Sequence, residues 1–415
     1  MIRILWFTNT PSLYRQNSNA YNGGGWIEAL EEYLQRKHDI ELAVSFFHSD
    51  SVFKIKKENV TYYPICVKRN IVKKIWDKIN RQRRQDKDIK SFLQVVDDFK
   101  PDIIHIFGSE NSFGLLAQYT SVPVVLHLQG IISAYAYAYY PPSYSNWEMV
   151  ILLRFNLIRL FFHFKEYHEF CQYAAQREKQ IFTYVKNFMG RTIWDKNIVS
   201  ILSPDAKYYY CGEMLRKSFY GSKYKNNYNG KERLILVSVI SQPLYKGFDL
   251  IVKTAGILSN IISFEWQVFG NINVAVTERK FKIKCSSVNI VVKGVISADI
   301  LTDMLINADI FVHPSYIDNS PNSVCEAQML GVPVISTNVG GISSLIDNMV
   351  NGFLVPANDP FTMAASVLLL YNNKTLSENI GKKGRETAIQ RHDREKITND
   401  LLYIYHDILS ERVDT

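Results

Sequence analysis

The thirty residues from Ala308 to Thr337, ADIFVHPSYIDNSPNSVCEAQMLGVPVIST, restrict the fold more than any other part of this chain. Ala308–Val312 reads as a short buried strand. Ser320 is a good helix N-cap, and Pro321 then takes the first helical position, where a missing N–H costs nothing. Gly331 stands where a helix needs a left-handed terminator, with Pro333 soon after. Val332–Thr337 is a second buried strand. Strand, short helix and strand at this spacing make a βαβ unit, so the two strands are expected to be parallel. The loop His313–Asn319 then leaves the carboxyl edge of a parallel sheet, where such folds bind ligands. The backbone N–H groups of Asn322 and Ser323 would face that loop with the positive end of a helix behind them, a site suited to phosphate.

Two acids flank this helix start. Glu326 follows Ser320 by six residues, roughly 9 Å along a helix at 1.5 Å per residue, and Asp318 lies on the far side of the cap. Their carboxyls are expected about 10 Å apart or more, wider than the roughly 5–9.5 Å of a glycosidase acid pair. They would bracket the phosphate site without sharing a reacting atom. Carboxylates accept hydrogen bonds from hydroxyls, so the layout suits a ligand with hydroxyls at both ends and phosphates between them: a nucleotide-diphosphate sugar. The plainer alternative makes Asp318 a turn cap and Glu326 a surface acid.

The chain has 415 residues, 47% of them hydrophobic, enough for two or more domains with real cores. Its five cysteines, Cys66, Cys171, Cys211, Cys285 and Cys325, are scattered without metal-type spacing, which favours a reducing compartment. The first residues enter an apolar strand directly, without the pattern of a signal peptide, and no uncharged apolar run is long enough to span a bilayer. A cytoplasmic protein is therefore expected.

The formal net charge is +8. Much of it lies between Lys68 and Lys90, where basic residues are interleaved with Ile71, Val72, Ile75, Trp76 and Ile79 at helical spacing. Such a helix can lie on an anionic membrane surface; the alternative is a solvated helix packed on its own domain. Nucleic acid is not expected as a partner, because no recognition module accompanies the charge. "DKD" at Asp86–Asp88 sits within the charged helix and not at a strand end, and no other cluster reads as a metal site.

Strands are expected at Ile2–Phe7, Glu41–Phe47, Asp102–Phe107 and Val122–Leu128, with helices at Trp26–Leu34 and Ile89–Asp98. Met149–Phe164 is apolar almost all round and reads as one helix, either buried or dipping into lipid headgroups. Tyr220–Glu232, YGSKYKNNYNGKE, is polar and glycine-containing, and is the best linker candidate. After it the pattern restarts with Leu234–Val239, Gly247–Ser259, Phe264–Phe269 and Val288–Val292. Two successive α/β sheets predict two Rossmann-like domains with a cleft between them. The expected boundaries are 1–220 for the first domain, 221–232 for the linker, 233–390 for the second domain and 391–415 for a helix returning to the first.

Three segments of the second half carry a family resemblance. "HPSYIDNSPNSVCEAQMLGVPVISTNVGGISSLIDNMVNGFLVPANDP", "SVISQPLYKGFDLIVKTAGIL" and "VNIVVKGVISADILTDMLINADIFVHPS" resemble the GT-B glycosyltransferases, specifically family 4 of the retaining enzymes, with their acid-x(7)-acid signature and lysine-glycine segment. The first half resembles the family more loosely, through "PDIIHIFGSE", "PVVLHLQGI" and "GRTIWDK".

The resemblance implies roles. Glu326 matches the acid that holds the ribose hydroxyls. Asp318 matches the acid that touches the donor sugar, usually Glu, and here one methylene shorter. Lys246 matches the lysine that neutralises the diphosphate. Ser241 stands where an Arg commonly completes that clamp, and Arg191 would replace it only if it faces the cleft. Gly294 matches a glycine near the base pocket, and Asn319, Ser320, Pro321 and Asn322 fall around the phosphate-binding helix start. The family's frequent His near the reacting centre aligns with Gln129, two residues after His127 and expected on the same side of the strand; both are candidates for the catalytic centre, and a glutamine there would orient and not titrate. In "YNGGGW", Tyr21–Trp26, Gly23, Gly24 and Gly25 would let backbone approach phosphates or acceptor.

The implied protein is a metal-independent retaining glycosyltransferase without cofactor. It would move a sugar from a nucleotide-diphosphate sugar to a glycan or lipid-linked acceptor in bacterial envelope polysaccharide synthesis, at the inner face of the cell membrane. The diphosphate leaves, its charge spread onto Lys246 and the helix end. Two other readings stay open: a GT-B nucleotide-sugar epimerase, for which Glu110 is the extra acid, and an inactive sugar-nucleotide binding protein, for which Ser241 and Gln129 argue.

Overall fold

The structure is a computed structural model that describes residues 1–14, 25–49, 52–66, 81–221 and 233–411. It divides into two compact units: residues 1–133, 174–214 and 393–415, and residues 134–173 with 215–392.

The first unit is built on an eight-stranded sheet ordered β3-β4-β2-β1-β5-β6-β7-β8. Its strands are β1 Ile2–Thr8, β2 Ile40–His48, β3 Ile55–Lys57, β4 Val60–Cys66, β5 Ile103–Phe107, β6 Val124–His127, β7 Asn187–Gly190 and β8 Lys207–Tyr210. All pairings are parallel except β3 with β4. The helix Arg394–Ser410 belongs to this unit and packs Ile397, Leu401, Ile404, Tyr405 and Ile408 into the core of β1, β2 and β4. Tyr405 is fixed there through its hydroxyl, which accepts from Trp6 Nε1 at 3.1 Å and lies 2.6 Å from His105 Nδ1.

The second unit carries a six-stranded, all-parallel sheet ordered β11-β10-β9-β12-β13-β14. Its strands are β9 Leu234–Val239, β10 Phe264–Phe269, β11 Ile290–Gly294, β12 Ile310–His313, β13 Val334–Thr337 and β14 Phe353–Val355. Both faces are covered, as a parallel sheet requires. Ile310 and Val312 join one core while Phe311 joins the other, so alternation along β12 feeds two separate apolar layers. The chain runs from β9 outward to β10 and β11, then returns to the other side of β9 as β12. That reversal is a topological switch point, and the loops leaving β9 and β12 open on the same sheet edge.

Three expectations need correction. The expected 1–220 domain loses residues 134–173, which cluster with the second unit. The reason is packing: Met149, Leu152, Leu153 and Leu160 form a core with Val276, and Arg279 Nη1 donates to the Leu152 carbonyl. Met149–Phe164 is not one helix. It is a hairpin of Asn146–Leu152 and Leu157–His168, broken at Arg154 and Phe155, whose φ values are 58° and 53°. Asn156 then caps the second helix, accepting from Arg159 N at 3.0 Å. The helix after β12 runs Asn322–Leu330 with Pro321, not Ser320, as its N-cap. Pro321 keeps ψ at 121°, outside the helical range. Gly331 terminates this helix in the left-handed conformation, φ 88°. The linker residues 222–232, and residues 67–80 of the basic stretch, lie outside the described residues. Arg81–Phe99 is a helix.

Candidate functional site

Lys246 and Asp318 are brought together by the switch point. Lys246 ends a short turn, Leu244–Lys246, on the loop after β9, and Asp318 lies on the loop after β12. Gly247 holds the two loops in contact. Its φ is +80°, and a Cβ there would run into the Pro314 carbonyl oxygen, so only glycine allows this approach. Lys246 Nζ then donates to Asp318 Oδ2 at 2.7 Å.

Asp318 is buried and heavily engaged. Its Oδ2 also lies 3.2 Å from His313 Nε2 and accepts from Ser315 Oγ at 3.3 Å. Its Oδ1 accepts from Tyr135 OH at 3.4 Å and from Asn319 N at 3.2 Å. Asn319 N donates in addition to Tyr135 OH, at 3.0 Å. Burial alone would raise the Asp318 pKa, but Lys246 and His313 outweigh it and hold the carboxyl well below its ordinary range. Asp318 is therefore a carboxylate whose charge is already met inside the protein.

Glu326 lies one turn into the helix Asn322–Leu330 and is buried. It is gripped at both oxygens by one guanidinium: Arg216 Nε donates to Oε1 at 2.7 Å and Nη2 to Oε2 at 2.8 Å. This fork-on-carboxylate geometry is the strongest form of such a pair. Burial raises the Glu326 pKa above the ordinary carboxylate value, with Arg216 opposing the rise. Each carboxylate oxygen retains acceptor capacity beyond one N–H, so the pair leaves Glu326 able to receive ligand hydroxyls. Between the two acids, Ser320, Pro321 and Asn322 are only partly buried, and the helix begins there, with Val324 N and Cys325 N donating back to the Pro321 carbonyl at 3.0 and 3.3 Å.

The rest of the second unit's candidates sit at the same sheet edge. Ser241 is exposed just after β9 and lines a small pocket with Gln242, Asn273 and Tyr144. Gly294 closes β11 with φ +73°, and its carbonyl accepts from Gly270 N at 2.8 Å. Arg216, Tyr135 and His313 were not singled out from the sequence. Arg216 precedes its partner by 110 residues, and no local pattern marks such a pair.

This arrangement has relatives. A model of the family described as "Glycosyl transferases group 1" matches residues 222–387. Those residues belong to the glycosyl transferases group 1 family. The capsular polysaccharide biosynthesis glycosyltransferase CapM of Staphylococcus aureus is 34% identical over 105 residues, 25% of this chain and 28% of CapM. The UDP-Gal:alpha-D-GlcNAc-diphosphoundecaprenol alpha-1,3-galactosyltransferase of Escherichia coli is 31% identical over 109 residues, 26% of this chain and 28% of that enzyme. The matched stretches thus span under a third of these curated relatives. Sucrose-phosphate synthase from Thermosynechococcus elongatus superposes with a TM-score of 0.75 over 99% of this chain and 100% of its own, at 13% identity. The fold is the two-domain α/β fold of GT-B glycosyltransferases.

The first unit's candidates, outside the matched residues, take different surroundings. Gly24 lies outside the described residues, and Gly25 is the first residue of the helix Gly25–Leu34. His127 ends β6 and is buried, its ring 5.5 Å from His105 and 5.4 Å from Trp26 between centroids. Neither ring nitrogen has a hydrogen-bond partner among the described residues. Burial, reinforced by Arg191, pushes its pKa down to about 3. His127 is thus a neutral imidazole within the core of the first unit. Gln129 lies beyond the end of β6, so strand alternation does not relate it to His127; its carbonyl accepts from Arg191 Nη2 at 3.3 Å. Arg191 is itself buried and ion-paired with buried Glu213, with its guanidinium over the Trp26 ring. Arg191 is therefore charge-paired within the first unit.

Proposed function

We propose that the protein is a retaining, metal-independent glycosyltransferase that takes its sugar from a nucleotide-diphosphate donor. The observation that carries this reading is the pairing of two buried acids with two cations on either side of one helix N-terminus. Glu326, oriented by Arg216, receives the ribose hydroxyls. The diphosphate rests on the first turn at Asn322 and Ser323 and on Lys246, whose ammonium has three donors and spends one on Asp318. As the bond to the sugar breaks, negative charge grows on the leaving diphosphate, and these fixed donors stabilise it without reorganising. Asp318 holds Lys246 in place and is screened by it from the sugar. The departing diphosphate takes the acceptor hydroxyl's proton, and no protein base is required.

The acceptor is a glycan or lipid-linked sugar of a bacterial cell envelope. The similarity to CapM and to the galactosyltransferase named for a GlcNAc-diphosphoundecaprenol acceptor supports that class. Donor hydrolysis and transfer are tested by nucleotide release from a panel of donors, with and without lipid-linked acceptors. Acceptor-dependent release with retention at the anomeric carbon is expected. Release that no acceptor stimulates would remove the transferase reading.

A further inference from the structure

The hairpin Asn146–His168 exposes more apolar surface than its packing explains. Its inner side is fixed: Met149, Leu152 and Leu160 sit in the core with Val276, and Lys280 pairs with Glu148 at 2.7 Å. Its outer side and tip are not covered. Leu157, Ile158, Phe161 and Phe162 are between 60 and 81% exposed, and Phe155 at the turn is 63% exposed. Trp147 and Ile151 extend the patch along the first helix. A soluble domain seldom leaves so many large apolar side chains contiguous, and such a patch marks a binding surface.

Charge says what kind of surface. From Met149 to Lys165 there is no acidic residue, while Arg154 and Arg159 are exposed among the apolar side chains and Lys165 follows them. A short helix with an apolar outer face, interleaved cations and a flanking tryptophan has the make-up of an element that lies in the headgroup region of a bilayer. The turn at Arg154 and Phe155 presents Phe155 at the apex between the two helices. The hairpin's inner side, through Met149, His163 and Glu166, also lines a cavity of about 100 Å³ with Leu244 and Tyr245, the residues that lead into Lys246.

We propose that this hairpin docks the protein on an anionic phospholipid surface, inserting Phe155, Leu157, Ile158, Phe161 and Phe162 while Arg154 and Arg159 meet lipid phosphates. The proposal rests on the lipid-linked-acceptor reading above and names where the membrane contact lies. It places that contact on the same unit as Lys246 and Glu326, so a membrane-held acceptor is presented beside the donor site. The basic stretch at Lys68–Lys90 is not needed for it.

The test is co-sedimentation of the full chain with phosphatidylcholine vesicles and with vesicles containing phosphatidylglycerol. Binding to the anionic vesicles is expected to weaken with salt. The change Leu157→Ser/Ile158→Ser/Phe161→Ser/Phe162→Ser is expected to lower it at least about tenfold. Arg154→Glu/Arg159→Glu is expected to abolish the preference for anionic lipid, each cation being worth on the order of fivefold. These side chains are exposed, and unchanged thermal midpoints check that the variants fold. The proposal is overturned if the parent shows no anionic preference or if the serine variant binds as the parent does. It is also overturned if only Lys73→Glu/Lys74→Glu/Arg83→Glu/Arg84→Glu removes binding, or if the patch instead mediates dimerisation in the absence of vesicles. Nucleotide affinity in the hairpin variants separates the two ideas: retained affinity with lost vesicle binding is expected, and failure of vesicle binding alone leaves the transferase reading standing.

Discussion

Arg216→Gln leaves Glu326 with a charge and no cation to meet it. The Glu326 side chain is 3% exposed and Arg216 18%, so the pair is shielded mainly on the acid's side. Breaking a buried pair by removing one partner costs roughly 3–5 kcal/mol. A glutamine amide can still give a neutral hydrogen bond worth about 1 kcal/mol, and Arg216 is not fully buried, so a loss of about 2–3 kcal/mol is expected. For a unit of this size that lowers the thermal midpoint by roughly 4–12 °C, at about 2–4 °C per kcal/mol. The pH dependence distinguishes this cause from simple loss of packing. The folded pKa of Glu326 already lies above its ordinary value, and Arg216 is what restrains it. Without Arg216 the folded pKa rises further. A carboxyl with a raised folded pKa binds its proton more tightly in the native state, so stability falls as pH rises from the unfolded pKa to the folded one. The variant's window extends further upward. The midpoint difference between variant and parent is therefore expected to be small near about pH 5 and larger near about pH 8. Differential scanning fluorimetry across that range measures it. An equal difference at both ends, or none, refutes the electrostatic account of Arg216.

Glu326→Ala is expected to weaken nucleotide binding about tenfold to a hundredfold, the loss of a charged hydrogen-bond partner worth roughly 1.5–3 kcal/mol; calorimetry on the folded variant checks it. Added EDTA is expected to leave turnover intact, and restoration of a chelated enzyme by Mg²⁺ or Mn²⁺ would contradict the role given to Lys246. Asp318 has the opposite sign from Glu326: its folded pKa is depressed, so its stabilisation is present at neutral pH and is lost as pH falls through the acid range. Asp318→Asn is therefore expected to destabilise the protein at neutral pH and to flatten the acid limb of the midpoint-pH curve, measured by the same fluorimetry.

Much of the second unit could be read from local pattern. The β12–helix–β13 unit declares itself because short apolar runs, a proline and Gly331 are all within thirty residues, and β12 and β13 do pair in parallel. The helix start was placed one residue early because Ser320 has the right chemistry for a cap, while Pro321 takes the non-helical ψ. What escaped is non-local. Nothing near Arg216 announces that it will meet Glu326, and the hairpin Asn146–His168 reads as one helix because its apolar run continues through Arg154 and Phe155. Its allegiance to the second unit depends on Val276 and Arg279, more than a hundred residues away. The surroundings of His127 are non-local in the same way: Trp26 and His105, far apart in the chain, pack against its ring.

The shortened first acid and the missing arginine bear on each other. Ser241 removes one cation from the expected diphosphate clamp, and Asp318 draws the remaining one, Lys246, into a buried contact at 2.7 Å. Counted together, Asp318 and Glu326 bring two negative charges, and Lys246 and Arg216 bring two positive charges. The side chains at the site thus cancel before any donor arrives. On the proposed reading, a diphosphate would be held less by net charge than by directed donors: the first helical turn at Asn322 and Ser323, and those N–H bonds of Lys246 that Asp318 does not take. Such donors act over hydrogen-bond distance, where salt screens little compared with its effect on exposed charges. The geometry that sustains them depends on Gly247, since any side chain there would push the Lys246 loop away from Pro314 and from Asp318. On that reading, the precision of the loop contact at Gly247 would do the work that a second cation would otherwise perform.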